Sequence, residues 1–207
     1  KQRPVNRLLS EITTTLMPRA FSDADRLTAI DALDRGTFHE YQKAVFGGLV
    51  AEVLLHAPLT LPEATAALEQ IAQQLPIDSQ GVGVELTTRT WPDSAPTQFG
   101  YSHPDSAAVV AFVLDDESIG SRLKTQLLAN LIEAPFYTRL RTEKQLGYLT
   151  FAMAFPLLNR PILAGAIQSP TADSETLSRE INAFFQAFRE TLAGISSTEF
   201  EAAKAVL

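Results

Sequence analysis

Apolar residues recur along the first part of this chain at a helical period. In "NRLLSEITTTLM" (6–17) Leu8, Leu9, Ile12 and Leu16 fall on one side of a helix, which Pro18 ends. "SDADRLTAIDAL" (22–33) puts Leu27, Ile30 and Leu33 on one face, with Ser22 in N-cap position. "FHEYQKAVF" predicts a third helix, stopped by Gly47-Gly48.

The period then changes. "LVAEVLLHA" (49–57), rich in branched apolar residues, predicts a buried strand. "TLPEATAALEQIAQQL" (60–75) predicts a helix, with Thr60 as N-cap, Pro62 in its first turn and Glu63 in capping-box position. Strands are predicted at "GVELTTRTW" (83–91) and "SAAVVAFVL" (106–114), separated by a loop rich in Pro, Ser and Asp with room for a short strand at Gln98 to Tyr101. Residues 118–146 read as a long helix interrupted at Pro135, and "YLTFAMAF" and "ILAGAIQS" as two strands joined by "PLLNRP". An amphipathic helix over 174–194 follows, its Phe184, Phe185 and Phe188 facing the core, and a last helix starts after Ser196-Ser197-Thr198. Strand pairs alternating with helices predict an α+β fold. The expected form is a two-layer α/β sandwich, its mixed, mostly antiparallel sheet carrying helices on one face. The helical residues 1–47 are expected to close a preceding domain, and residues 48–207 to form the next one.

Composition narrows the function. The chain has 207 residues and a net charge of −7, which argues against nucleic-acid binding, since that wants a basic stripe. No cysteine is present, so disulfides, thiolate metal sites and a cysteine nucleophile are excluded. No apolar run approaches the length of a membrane span. The start lacks an initiator Met and the end stops inside an amphipathic pattern, so a fragment of a longer polypeptide is expected. His39, His56 and His103 have no partner at ligand spacing, and neither H-E-x-x-H nor H-x-x-E-H occurs. No metal site is therefore expected in this chain, and no self-contained catalytic apparatus.

Polar chemistry gathers instead at "RTEKQLGY" (141–148), where a helix meets a strand. Gly147 in a left-handed conformation would end the helix, and Lys144 would offset the carbonyl end of its dipole. Gln145, at i+4 from Arg141, would lie beside it on the helix face. Tyr148, opening the strand, would bring its hydroxyl to the rim of the sheet near Arg141.

"PFYTRLRTEKQLGYLTFA" resembles the hallmark of the C-terminal half of the M16 zinc metallopeptidases, the family of pitrilysin and insulin-degrading enzyme. Phe136, Leu140, Arg141, Thr142, Gln145, Leu146, Gly147, Tyr148 and Phe151 all fit the family's string. Weaker similarity runs through "VLLHAPLT" and "AGAIQSP", and the whole covers roughly 38–207. Where the family has His-Gly-Asn this chain has His56-Ala57-Pro58, so that turn is built differently. The resemblance implies the C-terminal, non-metal-binding domain of a peptidase whose two halves close like a clamshell around a peptide. Zinc and the H-x-x-E-H motif would lie in the N-terminal half of the same polypeptide. Arg141 and Tyr148 would reach across to the substrate carbonyl and its tetrahedral intermediate, with Gln145 and Gly147 shaping the site. Within the family the resemblance is greatest to bacterial pitrilysin-type peptidases, which imply a periplasmic home with the cytoplasm as the alternative; the peptidase of pyrroloquinoline quinone biosynthesis is a further member left open. The alternative within the superfamily is a catalytically silent structural subunit. Retention of both Arg141 and Tyr148 favours the peptidase.

Overall fold

The computed structural model describes residues 3–49, 53–75, 85–92 and 98–207. Its elements run α1 (Pro4–Leu16), α2 (Asp23–Asp31), α3 (Arg35–Val45), α4 (Leu61–Gln74), β1 (Ser106–Val113), α5 (Ile119–Tyr137), a π-helical turn (Thr138–Glu143), β2 (Leu149–Leu157), β3 (Arg160–Ser169), α6 (Ser174–Ala193) and α7 (Ser197–Lys204). Two compact units result: Asp23–Glu85 is one, and the segment ending at Ser22 joins Leu86–Leu207 in the other.

Local signals account for the helix starts. Glu63 accepts from the Thr60 backbone at 2.8 Å, closing the capping box of α4, and Glu199 does the same for Ser196 at 3.0 Å ahead of α7. The Asp173 carboxylate accepts from Thr176 N at 2.7 Å and caps α6. In the smaller unit, α3 is capped by Asp34, whose carboxylate accepts from Thr37 N at 2.8 Å.

The larger unit is built on a three-stranded antiparallel sheet in the order β1-β3-β2. The α+β class and the helix-on-sheet packing agree with the sequence pattern. On one face α5, the π-helical turn and α6 bury Phe136, Ile132, Leu140, Leu177 and Ile181 against Leu163 and Ile167 of β3. The predicted phenylalanine stripe is part of this layer. Phe136 and Phe184 meet edge to face with ring centroids 5.0 Å apart, a geometry that adds to their area burial. The rings fit because β3 carries Gly165 beneath them, where a Cβ would stand 2.8 Å from Phe136 and 2.9 Å from Phe185. The opposite face is not bare: Ile12 and Leu16 of α1 pack on Ile162 and Leu157, with Val109, Ala111 and Phe155 alongside.

Among the described residues, Leu49 makes an isolated β-bridge, and neither 53–57 nor 85–91 forms a predicted strand. Of 49–57 and 83–91, residues 50–52 and 83–84 lie outside the described residues. Leu54 is 96% exposed. An apolar run supplies the side chains of a strand but not its ladder, and a strand exists only where a partner accepts its backbone bonds. The 85–92 segment is held differently, by Arg89 N donating to Leu16 O at 2.8 Å and by Arg160 Nη1 donating to Arg89 O at 2.7 Å. Buried Arg160 also donates to Leu114 O at 3.0 Å and pairs with Asp115, so it ties the start of β3 to the end of β1.

Pro135 does not interrupt the long helix. The backbone continues through it and widens just afterwards into the π turn, where Thr138 N is shared between Ala134 O and Pro135 O. Pro135 brings no N–H to the helical ladder, and a single π turn inside a helix is frequently found at functional sites. The β2–β3 connection is tighter than "PLLNRP" implied. The strands run to Leu157 and from Arg160, and Leu158 takes the left-handed conformation with φ 55°.

Candidate functional site: the Tyr148 rim

The antiparallel register brings three polar residues to one end of the sheet. Gln168, near the end of β3, lies between Ala107 of β1 and Leu149 of β2. Asp105 immediately precedes β1 and Tyr148 immediately precedes β2, so both flank Gln168. The Tyr148 hydroxyl donates to Asp105 Oδ2 at 2.7 Å, and Gln168 Nε2 donates to the same oxygen at 2.9 Å. Gln168 Nε2 also contacts the Tyr148 hydroxyl oxygen.

Gln168 is fully buried, and its orientation is settled by α1, because Val5 N donates to its Oε1 at 3.4 Å. A backbone N–H can only donate, so the amide nitrogen must face Asp105 and Tyr148. Every polar atom of the buried amide is thus satisfied, as burial requires. Tyr148 itself is 49% exposed and stands at the rim. The amide of Gln168, the Tyr148 hydroxyl and the nearby His103 hold the Asp105 carboxyl below the ordinary carboxylate range. In return the hydrogen bond to Asp105, partial burial and the carboxylate charge raise the Tyr148 phenol above its ordinary value, while Arg3 pulls it the other way.

The helix-to-strand junction departs from its expected form in two respects. The left-handed residue is Gln145, with φ 51°, and no described glycine has positive φ. Gln145 therefore lies past the helix end and not beside Arg141 on a helix face. Gly147 is needed for a different reason: a Cβ there would stand 2.3 Å from Gln168 O and 2.7 Å from Ile167 Cγ2. The junction crosses β3 at backbone contact, and only glycine fits. Leu146 N closes the turn on Leu140 O at 3.0 Å. Lys144 does not serve the helix end; it pairs with Glu180 of α6. Arg141 sits partly buried in the π turn, and no side-chain hydrogen bond or ion pair joins it to Tyr148 or to another described residue.

The sequence singled out Tyr148, Arg141, Gln145 and Gly147 but not Asp105 or the full role of Gln168. Gln168 stood within the noted "AGAIQSP", whereas Asp105 lay in a loop that offered no pattern. Among the described residues no group of three or more His, Asp or Glu side chains is arranged to hold a metal ion. Nor is any described helix long and apolar enough to cross a membrane.

Residues 127–207 match the family described as PQQ synthase PqqF-like, C-terminal lobe domain 4. These matched residues carry a C-terminal domain of the M16 peptidase type. It is 37% identical over 83 residues to the coenzyme PQQ synthesis protein F of Pseudomonas syringae pv. tomato, covering 40% of this chain and 11% of that protein. It is 31% identical over 142 residues to the protein of the same name from Pseudomonas protegens, covering 66% of this chain and 16% of the relative. The A-factor-processing enzyme of Saccharomyces cerevisiae is 23% identical over 212 residues, covering 99% of this chain and 20% of the enzyme. The fold is that seen in the crystal structure of pitrilysin, with a TM-score of 0.74 at 22% identity over 98% of this chain and 22% of the other. The chain spans between 11% and 20% of the length of these curated relatives.

Proposed function

We propose that this chain is the substrate-facing C-terminal domain of a zinc metalloendopeptidase and completes the active site from across a clamshell chamber. The observation that supports this best is Tyr148, a half-exposed residue at the sheet rim within the Arg141–Tyr148 string. Peptide hydrolysis passes through a tetrahedral oxyanion, which needs hydrogen-bond donors held in place before the charge develops. A phenol and a guanidinium are such donors. Supplying them from the opposite half makes turnover depend on closure, which also shields the site from bulk solvent while keeping the one water that hydrolysis consumes. Zinc, in this reading, belongs to the N-terminal half of the same polypeptide, and a bacterial periplasmic home goes with it.

The test is kinetic, in the full-length polypeptide with a fluorogenic peptide. Tyr148→Phe keeps the ring and removes one donor, and loss of one oxyanion donor lowers kcat by about a hundredfold. The loss falls on kcat because the contact strengthens in the transition state. Arg141→Lys also slows turnover, since a point charge cannot reproduce the planar donor fork. A folded Tyr148→Phe enzyme with the parent kcat, under conditions where chemistry limits turnover, removes Tyr148 from the catalytic site. A full-length protein with no turnover on any peptide would instead support the silent-subunit alternative.

A further inference from the structure

A phenol carries one hydroxyl proton, and Asp105 holds it here. The reading proposed above needs that same proton for the substrate oxyanion. One proton cannot serve two anionic acceptors at once. We propose that Asp105 is a positioning residue that parks the Tyr148 hydroxyl in the resting enzyme, and that the substrate oxyanion must compete with its carboxylate to take it.

The arrangement is asymmetric in a way that suits a hand-over. Asp105 is anchored by the start of β1, whose first residues pair Ser106 with Ser169 and Ala107 with Gln168. Its carboxylate keeps a second donor when the phenol leaves, because Gln168 Nε2 stays at 2.9 Å. Gln168 is itself fixed by burial and by Val5 N. Asp105 N also donates to His103 Nδ1 at 3.0 Å, which pins the loop carrying the carboxylate. Tyr148 is the mobile member: half its surface is free, and rotation about its side-chain torsions turns the hydroxyl outward without disturbing the sheet. No buried polar group is left unpaired by that rotation, so the cost of release is the phenol–carboxylate bond and the Gln168 contact to the phenol oxygen. The raised phenol pKa agrees with a proton held by a carboxylate.

The experiment is a double-mutant cycle in the full-length polypeptide, combining Asp105→Ala and Asp105→Asn with Tyr148→Phe. With Tyr148 present, Asp105→Ala raises kcat/KM several-fold, and Asp105→Asn, which keeps a neutral acceptor, gives a smaller rise. With Phe at 148 neither substitution has an effect. Independently of activity, the Tyr148 phenol ionisation is read as the difference absorbance against Tyr148→Phe, and it moves down toward the ordinary phenol value when Asp105 is replaced. Should Asp105→Ala fail to fold, Asp105→Asn carries the same comparison. Asp105 variants of native circular dichroism that are no faster than the parent, while Tyr148→Phe is slow, overturn the parking role. A phenol ionisation unmoved by either substitution overturns it too. If Tyr148→Phe keeps the parent kcat while the phenol ionisation still responds to Asp105, the active-site reading has failed, and the competition with it.

Discussion

Replacing Gly147 with alanine separates two explanations of the junction that the sequence string cannot. If the glycine served a left-handed turn, the penalty would come from φ. In the structure it comes from space: the new Cβ meets Gln168 O at 2.3 Å, Ile167 Cγ2 at 2.7 Å and Gln168 C at 3.0 Å. Those distances are well inside the ~3.5 Å at which nonbonded heavy atoms rest. Two of the three atoms are backbone of the central strand, which is bonded on both sides, to Ala107 and to Leu149. It cannot step aside, so the cost lies at the upper end of the ~1–3 kcal/mol typical of overpacking. Against this stands a gain of about 0.5 kcal/mol, because alanine restricts the unfolded chain more than glycine does. The net expectation is a loss of roughly 2 kcal/mol, or about 4–8 °C in Tm for a chain of this size. Urea unfolding followed by the fluorescence of Trp91, the one tryptophan, measures it within the same compact unit. The companion Gln145→Gly relaxes the residue that does have positive φ, and it should be neutral or mildly stabilising. A Gly147→Ala protein within ~0.5 kcal/mol of the parent would refute the close-approach account.

The other predictions concern stability. Leu158→Gly in the β2–β3 turn removes a left-handed leucine at φ 55° and is expected to stabilise by up to about 1 kcal/mol, read as a higher urea midpoint; a lower midpoint contradicts the strain. Asp173→Ala removes the cap of α6, and its effect should depend on pH in a defined direction. Backbone and side-chain hydrogen bonds from Thr176 hold the Asp173 carboxyl below its ordinary value, so its stabilisation is complete above the unfolded pKa. It is lost as pH falls through the lower folded value. The difference between parent and Asp173→Ala should therefore be constant at neutral pH and close only in acid, and a gap that widens on acidification would show the sign to be wrong.

Local physics let the sequence determine most helices of this protein, the strands 106–113, 149–157 and 160–169 and the polar junction at 141–148. Caps such as Thr60 with Glu63 act over three residues, and the apolar period of α6 is visible in its own string. Two decisions lay beyond any local pattern. Whether an apolar run becomes a strand depends on a partner's backbone, which is why 53–57 and 85–91 did not follow their composition. The site depended on register: Asp105, Tyr148 and Gln168 are separated by 43 and 20 residues and meet only because two strand starts flank one strand end. The same closeness of β3 to the junction decided what Gly147 is for. A one-dimensional string shows that a glycine stands there, but the missing volume belongs to the backbone of Gln168 on another strand.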